Sequence, residues 1–332
     1  MTGISGSATE GVLTSVTEAA TREGHKTRLH DVGDLMYKYA RENDPGVVWE
    51  RILDASPRIL RLLRALAFQE ISADVKSERD TVHIVDLHLC FRWKAYLTKG
   101  FEPYILNALR PYVRCFINII EDLPKIQERL AGSAWGKREL KELLVWRDEE
   151  LFLTDLFADV CGRVRSYLVA EAEPPTEICR LIWHPEVPKV YLSFPITGIM
   201  KDHEARDEIL AFRDKIREFL VVFDPYASKD YDETYQRSEM ESLRREVGET
   251  TVDRDYRFID QADAVVVYYP KKVPSKGVDS EMRHAWDAGK PIFLYCPEDL
   301  GGGPFQPSAS HVCHDRDEFL GLLKSRLLAE PQ

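Results

Sequence analysis

The chain has 332 residues, with 45 Lys and Arg against 56 Asp and Glu, a formal net charge of −11, 44% apolar and 30% charged residues. That length and balance fit two soluble domains with buried cores, and an acidic chain without a basic cluster is a poor partner for a nucleic-acid polymer. It contains no run of 18 apolar residues and no basic segment followed by an apolar one at its start, so neither a membrane span nor a secretory signal is expected, and the chain reads as cytoplasmic.

Along the chain, the first segment is Met1-Thr-Gly-Ile-Ser-Gly-Ser-Ala-Thr-Glu10. It reads either as a flexible Gly/Ser-rich terminus or as the remains of a phosphate-binding loop. A working loop carries Lys for the β/γ-phosphates and Ser/Thr for Mg²⁺ after its glycines. Here Thr9 and Glu10 stand in those places, and no strand is expected ahead of the loop. Amphipathic helices are expected over Ile52–Glu70 and Lys137–Cys161, with strands at Thr81–Asp86 and Cys115–Ile120. The six cysteines, Cys90, Cys115, Cys161, Cys179, Cys296 and Cys313, have no C-x-x-C spacing and read as reduced, mostly buried thiols. Proline-punctuated stretches at 170–176 and 184–188 mark a linker, with the domain boundary near 183–188.

The second half reads as strand 189–194, helix 202–218, strand 219–224 and a polar excursion over 225–249 that holds Tyr226, Tyr231 and Tyr235. A helix at about 252–261, strand 264–269, a short helix at about 280–288, strand 292–296 and a helix at 315–328 follow. Alternating β and α units of this length imply a doubly wound parallel sheet. The run Ala264-Val-Val-Val-Tyr-Tyr269 has no polar alternation, as in a strand covered on both faces. Glu281 falls in the first turn of the helix that Gly289 and Pro291 end, just outside the carboxyl end of that strand, where open α/β sheets place ligands. Taken alone, a carboxylate there is more simply a partner of the helix dipole. A carboxylate beneath an anomeric carbon can stabilise or attack an oxocarbenium-like centre. Asp253, Asp255, Asp260 and Asp263 are candidates for a second acid group.

Val190-Tyr-Leu-Ser-Phe-Pro-Ile-Thr-Gly198, Asp255-Tyr-Arg-Phe-Ile-Asp-Gln-Ala-Asp-Ala-Val-Val266 and Gly277-Val-Asp-Ser-Glu-Met-Arg-His-Ala285 occur in that order. Together they resemble the nucleoside 2-deoxyribosyltransferase family and its relative, 2′-deoxynucleoside 5′-phosphate N-hydrolase, over about 188–300. The resemblance implies Glu281 as nucleophile, Asp255 assisting base or sugar, and Tyr191 lining the pocket. It further implies Pro195, Ile196, Thr197 and Gly198 against the sugar or its 5′ substituent, with Asp253, Gly277, Arg283 and Ser308 also at the substrate. Transferases of the family carry an acid six residues before the nucleophile. Ser275 stands there, inside Pro274-Ser-Lys-Gly-Val278, which resembles the N-hydrolase instead. The chain departs from the family pattern at Phe194, expected to narrow the pocket or change its substrate, and at Arg283, which either meets phosphate or is a solvated helix residue. The family also implies a homodimer or higher oligomer that shares pocket residues; Ser308 and Ser310 are candidates.

In the first half, Val82-His-Ile-Val-Asp-Leu-His-Leu89, Gly100-Phe-Glu-Pro-Tyr104 and the stretch from Phe116 to Arg129 resemble archaeal-type adenylate kinases and related P-loop nucleotide kinases. His30-Asp-Val-Gly-Asp34 and Trp146-Arg-Asp-Glu-Glu150 fit the same resemblance. It implies a P-loop kinase-like α/β domain over 1–183, joined to a deoxyribosyltransferase-like domain over 188–330. Gly3, Gly6, Ser7 and Thr9 would form a degenerate phosphate loop flanked by Asp86 and His88. Without the lysine no phosphoryl transfer is expected, and the domain would bind nucleotide or scaffold an assembly. The expected activity is cleavage of the N-glycosidic bond of a (deoxy)nucleoside or its 5′-monophosphate, by hydrolysis or base exchange, with no cofactor and no metal. The other reading is a non-catalytic nucleotide-binding regulator with two degenerate pockets.

Overall fold

The computed structural model describes residues 1–94, 96–199, 202–228, 244–271, 273–297 and 308–328, with backbone alone at 106, 197 and 244–246. They fall into two compact units, residues 1–176 with Arg244, and residues 177–228 with 245–328. Among the described residues no helix is long and apolar enough to cross a membrane. All six cysteines are free thiols, and all but Cys115 are buried.

The first unit begins inside a sheet. The Thr2 amide donates to the Ile117 carbonyl at 2.9 Å, the Ile119 amide to Thr2 at 2.8 Å, and the Leu87 amide to Met1 at 3.1 Å. The segment ahead of the Gly/Ser loop is no regular strand, as expected, but an isolated parallel bridge at Thr2 anchors it. There follow α1 (Thr9–Arg22), β1 (Thr27–Asp31), α2 (Val32–Asn43), α3 (Pro57–Ser77), β2 (Val82–Asp86), the hairpin β3 (Cys90–Trp93) and β4 (Tyr96–Lys99), and α4 (Pro103–Leu109). The unit continues with β5 (Cys115–Ile120), α5 (Leu123–Ala131), α6 (Leu140–Val160) and β6 (Arg165–Ala170). β1 pairs with β2 and β5 with β6, all parallel, and the Met1–Thr2 segment lies between β2 and β5. Ser56 caps α3 and Pro57 occupies its first turn, which fixes the start of the helix five residues beyond the expected one. Leu60, Phe68 and Ile71 of α3 bury their side chains with Phe101 and Phe157.

α7 (Pro175–Trp183) leads into the second unit. It holds β7 (Lys189–Ser193), α8 (Ile196–Ile199), α9 (His203–Arg217), β8 (Val221–Phe223), α10 (Arg244–Gln261), β9 (Ala264–Tyr268), α11 (Lys276–Asp287), β10 (Ile292–Tyr295), β11 (His311–Cys313) and α12 (Arg316–Leu327). The sheet order is β11-β10-β9-β7-β8, and every pairing is parallel. The chain moves from β7 outward to β8, then back past β7 to β9. That reversal leaves a crevice at the carboxyl ends of β7 and β9, the topological switch point of a doubly wound sheet. The apolar runs read in the sequence are these strands, buried throughout. Of the 225–249 excursion, Tyr226 lies in a 3₁₀ turn over Pro225–Ala227, while Tyr231 and Tyr235 fall outside the described residues.

Candidate active site

Side chains along a strand alternate between faces, and β7 uses the two faces differently. Val190, Leu192 and Phe194 pack with Ile209, Phe212 and Ile216 of α9 and with Phe319 of α12. Tyr191 and Ser193 point the other way, where the Tyr191 ring stacks on Phe258 of α10 at 6.5 Å. Phe194 is thus part of the core opposite the crevice and does not narrow a pocket at Glu281, a correction the alternation of the strand explains.

α11 starts at Lys276, earlier than expected, because the Ser275 hydroxyl accepts the Val278 amide at 3.3 Å and caps the helix. Glu281 therefore sits in the second turn, where the helix dipole has largely faded. Val278, Met282 and Ala285 are buried along this helix. Glu281 reaches the end of β7, and the buried Ser193 hydroxyl donates to its Oε2.

A second carboxylate faces the same point. Asp255 of α10 accepts from the Arg254 guanidinium at 2.9 Å and 3.1 Å, while Arg254, 7% exposed, also donates to the Ser228 carbonyl at 2.7 Å. Glu281 keeps partial access to solvent. Burial first, and then the charge of Asp255, push its carboxyl from the ordinary 4.5 up to about 7, against the Ser193 and Tyr191 hydroxyls and the Arg254 charge. The buried Tyr191 hydroxyl makes no hydrogen bond of regular geometry among the described residues. Burial, with Glu281 and Asp255 adding to it, holds this phenol well above its usual range. Tyr269, just past β9, is likewise raised by burial and then by Asp279 and Glu281.

Glu281, Asp255 and Tyr191 are thus brought together at the switch point. Asp253 is exposed and lies two residues from Asp255, a spacing that puts it on another face of α10. Asp260 pairs with His284 Nε2 at 2.8 Å, and Asp263 accepts the Lys189 amide at 2.8 Å. Arg283 is exposed and pairs with Asp287 at 2.8 Å, the solvated-helix alternative. Pro195 is buried, and Ile196 and Gly198 lie in α8, with a Cβ at Gly198 falling 2.5 Å from Val273 Cγ1. The side chain of Thr197 lies outside the described residues. Gly277 is exposed on the first turn of α11, and Ser308 is half-buried before β11. Ser310 bonds Ile292 through its amide and its hydroxyl, joining β10 to the segment before β11.

Ser193, Arg254 and Tyr269 escaped the sequence reading. The available signal was a lone hydroxyl in an apolar strand, two residues after Tyr191, and a basic residue beside Asp255 at a site otherwise rich in acid groups.

In the first unit the Gly/Ser loop is filled from within. Gly6 adopts φ +84°, where a Cβ would strike Leu130. The Ala8 amide, at the start of α1, donates to Glu121 Oε2 at 3.0 Å, and Arg129 bridges Glu121 and the Gly6 carbonyl. The Ser7 hydroxyl donates to the Ile4 carbonyl at 2.7 Å and lies 2.9 Å from the Thr9 hydroxyl, and His88 Nδ1 donates to the Gly3 carbonyl at 2.5 Å. Asp86 ends β2 with its carboxyl raised by burial. The fully buried Glu150 accepts the Leu89 and Cys90 amides at 2.7 and 2.9 Å and the Thr2 hydroxyl.

No family model matches the sequence, and no curated protein matches it. Among solved structures the chain is similar to a 2-deoxyribosyltransferase from the psychrotolerant bacterium Bacillus psychrosaccharolyticus, described as a biocatalyst for synthesis of antiviral and antitumoral nucleosides. The identity is 17%, with 39% of this chain and 88% of that one covered and a TM-score of 0.32. It is also similar to a conserved protein from Enterococcus faecalis V583, at 16% identity over 42% of this chain and 99% of that one, with a TM-score of 0.30.

Proposed function

We propose that the second unit cleaves the N-glycosidic bond of a (deoxy)nucleoside or its 5′-monophosphate, with Glu281 as the nucleophile. The observation that carries this reading is a partly accessible carboxylate, poised to ionise near neutral pH, at the switch point with Tyr191, Ser193 and Asp255 around it. A desolvated carboxylate is an unfavourable charge that becomes neutral on forming an ester, so attack relieves the cost of burying it. In the first step the Glu281 carboxylate bonds to the anomeric carbon as the bond to nitrogen breaks. The electron pair leaves on the base, which takes up a proton. Water then opens the ester, giving the free sugar and the carboxylate, with a proton released to solvent. Asp255, paired with Arg254, assists sugar or base. Ser275, a helix cap where transferases carry an acid, supports hydrolysis over base exchange.

For the first unit, the Glu121 carboxylate on the Ala8 amide supports the scaffolding reading over phosphate binding, since a phosphate would compete with it. The test is direct. The chain is incubated with deoxynucleosides and their 5′-monophosphates, and released base is measured by chromatography. Wild type releases base and Glu281→Gln does not; identical traces sink the reading.

A further inference from the structure

Within this glycosidic-cleavage reading, we propose that Ser193 is a positioning residue: it ties Oε2 of Glu281 to the end of β7 and leaves Oε1 as the oxygen that bonds to the anomeric carbon. Four observations carry the proposal.

Ser193 is fully buried on a strand flanked by β8 and β9, and its hydroxyl donates to Glu281 Oε2 rather than to backbone. Its neighbours along the apolar strand, Leu192 and Phe194, serve the core on the other face. A buried hydroxyl in such a strand needs a partner, and Glu281 is that partner. The register of Ser193 opposite Val267 in the middle of a parallel sheet fixes where the tether is anchored.

The other oxygen lies toward Gly277 in the first turn of its own helix. A Cβ built on Gly277 would lie 4.0 Å from Glu281 Oε1 and 3.7 Å from the Ser275 hydroxyl. Gly277 is exposed and has no side chain, so no side chain from this position stands beside Oε1. One oxygen is tethered to β7, and the other lies on the side of the first turn of α11. A carboxylate held at one oxygen loses the rotation that would carry the other out of line with the reacting carbon.

The groups around Glu281 come from each element packed on it. Tyr191 lies on β7, Asp255 and Arg254 on α10, Tyr269 follows β9, and Asp279 lies on α11 itself. Burial and Asp255 favour the protonated acid, while Ser193 favours the carboxylate. Removing the Ser193 hydroxyl therefore moves Glu281 titration to higher pH, by about one pH unit for a bond to a charged acceptor.

The test follows the Glu281 carboxyl by ¹³C NMR in protein labelled at glutamate, with the resonance assigned by its loss in Glu281→Gln. Base release is measured over the same pH range. Ser193→Ala is expected to raise the titration midpoint and the acid limb of kcat/KM together, and to lower kcat roughly 10- to 100-fold with little change in KM. Ser193→Thr, which keeps the hydroxyl on a β-branched residue suited to a strand, is expected to restore both. Ser193→Cys gives a second, smaller replacement should threonine perturb folding as judged by thermal unfolding; it is expected to fall between serine and alanine. An unmoved midpoint in Ser193→Ala overturns the tether. A moved midpoint in a protein whose wild type releases no base overturns the role of Oε1 and the glycosidase reading, but leaves the tether standing.

Discussion

Replacing Glu281 by Gln should stabilise the protein at alkaline pH. The native carboxyl ionises near 7 against an ordinary 4.5, a rise of roughly 2.5 pH units caused first by burial and then by Asp255. At about 1.4 kcal/mol for each pH unit, ionised Glu281 costs the folded state about 3.5 kcal/mol above the native midpoint. The sign is set by proton uptake. Between about pH 4.5 and 7 the native state holds a proton that the unfolded chain has lost, so stability falls as pH rises through that window. The glutamine of the variant carries no charge, and its side-chain carbonyl still accepts the Ser193 hydroxyl. Urea unfolding of wild type and Glu281→Gln, followed at about pH 4 and about pH 9, should give curves that nearly coincide at the acid end. At the alkaline end the variant should lead by about 3–4 kcal/mol with an unchanged m-value. A variant no more stable than wild type at about pH 9 refutes the claim that burial strains this carboxylate. Activity should run in the opposite direction: kcat/KM rises through about pH 7 as the nucleophile ionises, and Glu281→Gln is inactive throughout.

Asp255→Asn removes the second cause of the raised Glu281 ionisation, so the acid limb of kcat/KM should move to lower pH; an unmoved limb would show that burial alone sets it. Arg254→Ala leaves Asp255 beside Glu281 without its cation and strips the Ser228 carbonyl of a donor, at about 3–5 kcal/mol in chemical denaturation. Arg283→Ala touches only the solvated pair with Asp287, so stability should change by less than about 0.5 kcal/mol and base release should be preserved, whereas a rise in KM for monophosphates would restore the phosphate role. In the first unit, Glu121→Ala uncaps the Ala8 amide and unpairs Arg129, which should cost about 1–3 kcal/mol in thermal unfolding, with no loss of base release.

The strands that build the switch point were the most legible part of the sequence, because a parallel sheet covered on both faces leaves unbroken apolar runs such as Ala264-Val-Val-Val-Tyr268. Glu281 was legible by its place after such a run, and Tyr191 and Asp255 through the ordered motifs around them. The start of α11 was not. Lys276 and Gly277 are a weak opening for a helix, and Ser275 reveals itself as a cap only when its hydroxyl is seen on the Val278 amide. The bridge at Met1–Thr2 has no pattern to detect; it exists because β2 and β5 stand on either side of it. Phe194 was read for its size, but its effect depends on which face it occupies, and that parity is set by the register of β7 between β8 and β9. Glu121 could not be read as the occupant of the Gly/Ser loop, since the bond joins residues 113 apart in the chain.

The division of β7 into a core face and a face toward Glu281 has a consequence for how this protein can change. Tyr191 and Ser193 can be exchanged for other residues with little reference to Val190, Leu192 and Phe194, because the sheet itself separates the two sets. Point substitutions can therefore change the surroundings of Glu281 while the core packing holds. A one-residue insertion or deletion in the same strand is a different kind of event. It swaps the faces, sending an aromatic ring toward Glu281 and a hydroxyl into the α9 contact, and so disrupts the surroundings of that carboxylate and the core in one step. Sequence drift in this strand should accordingly run by substitution, with its length held fixed.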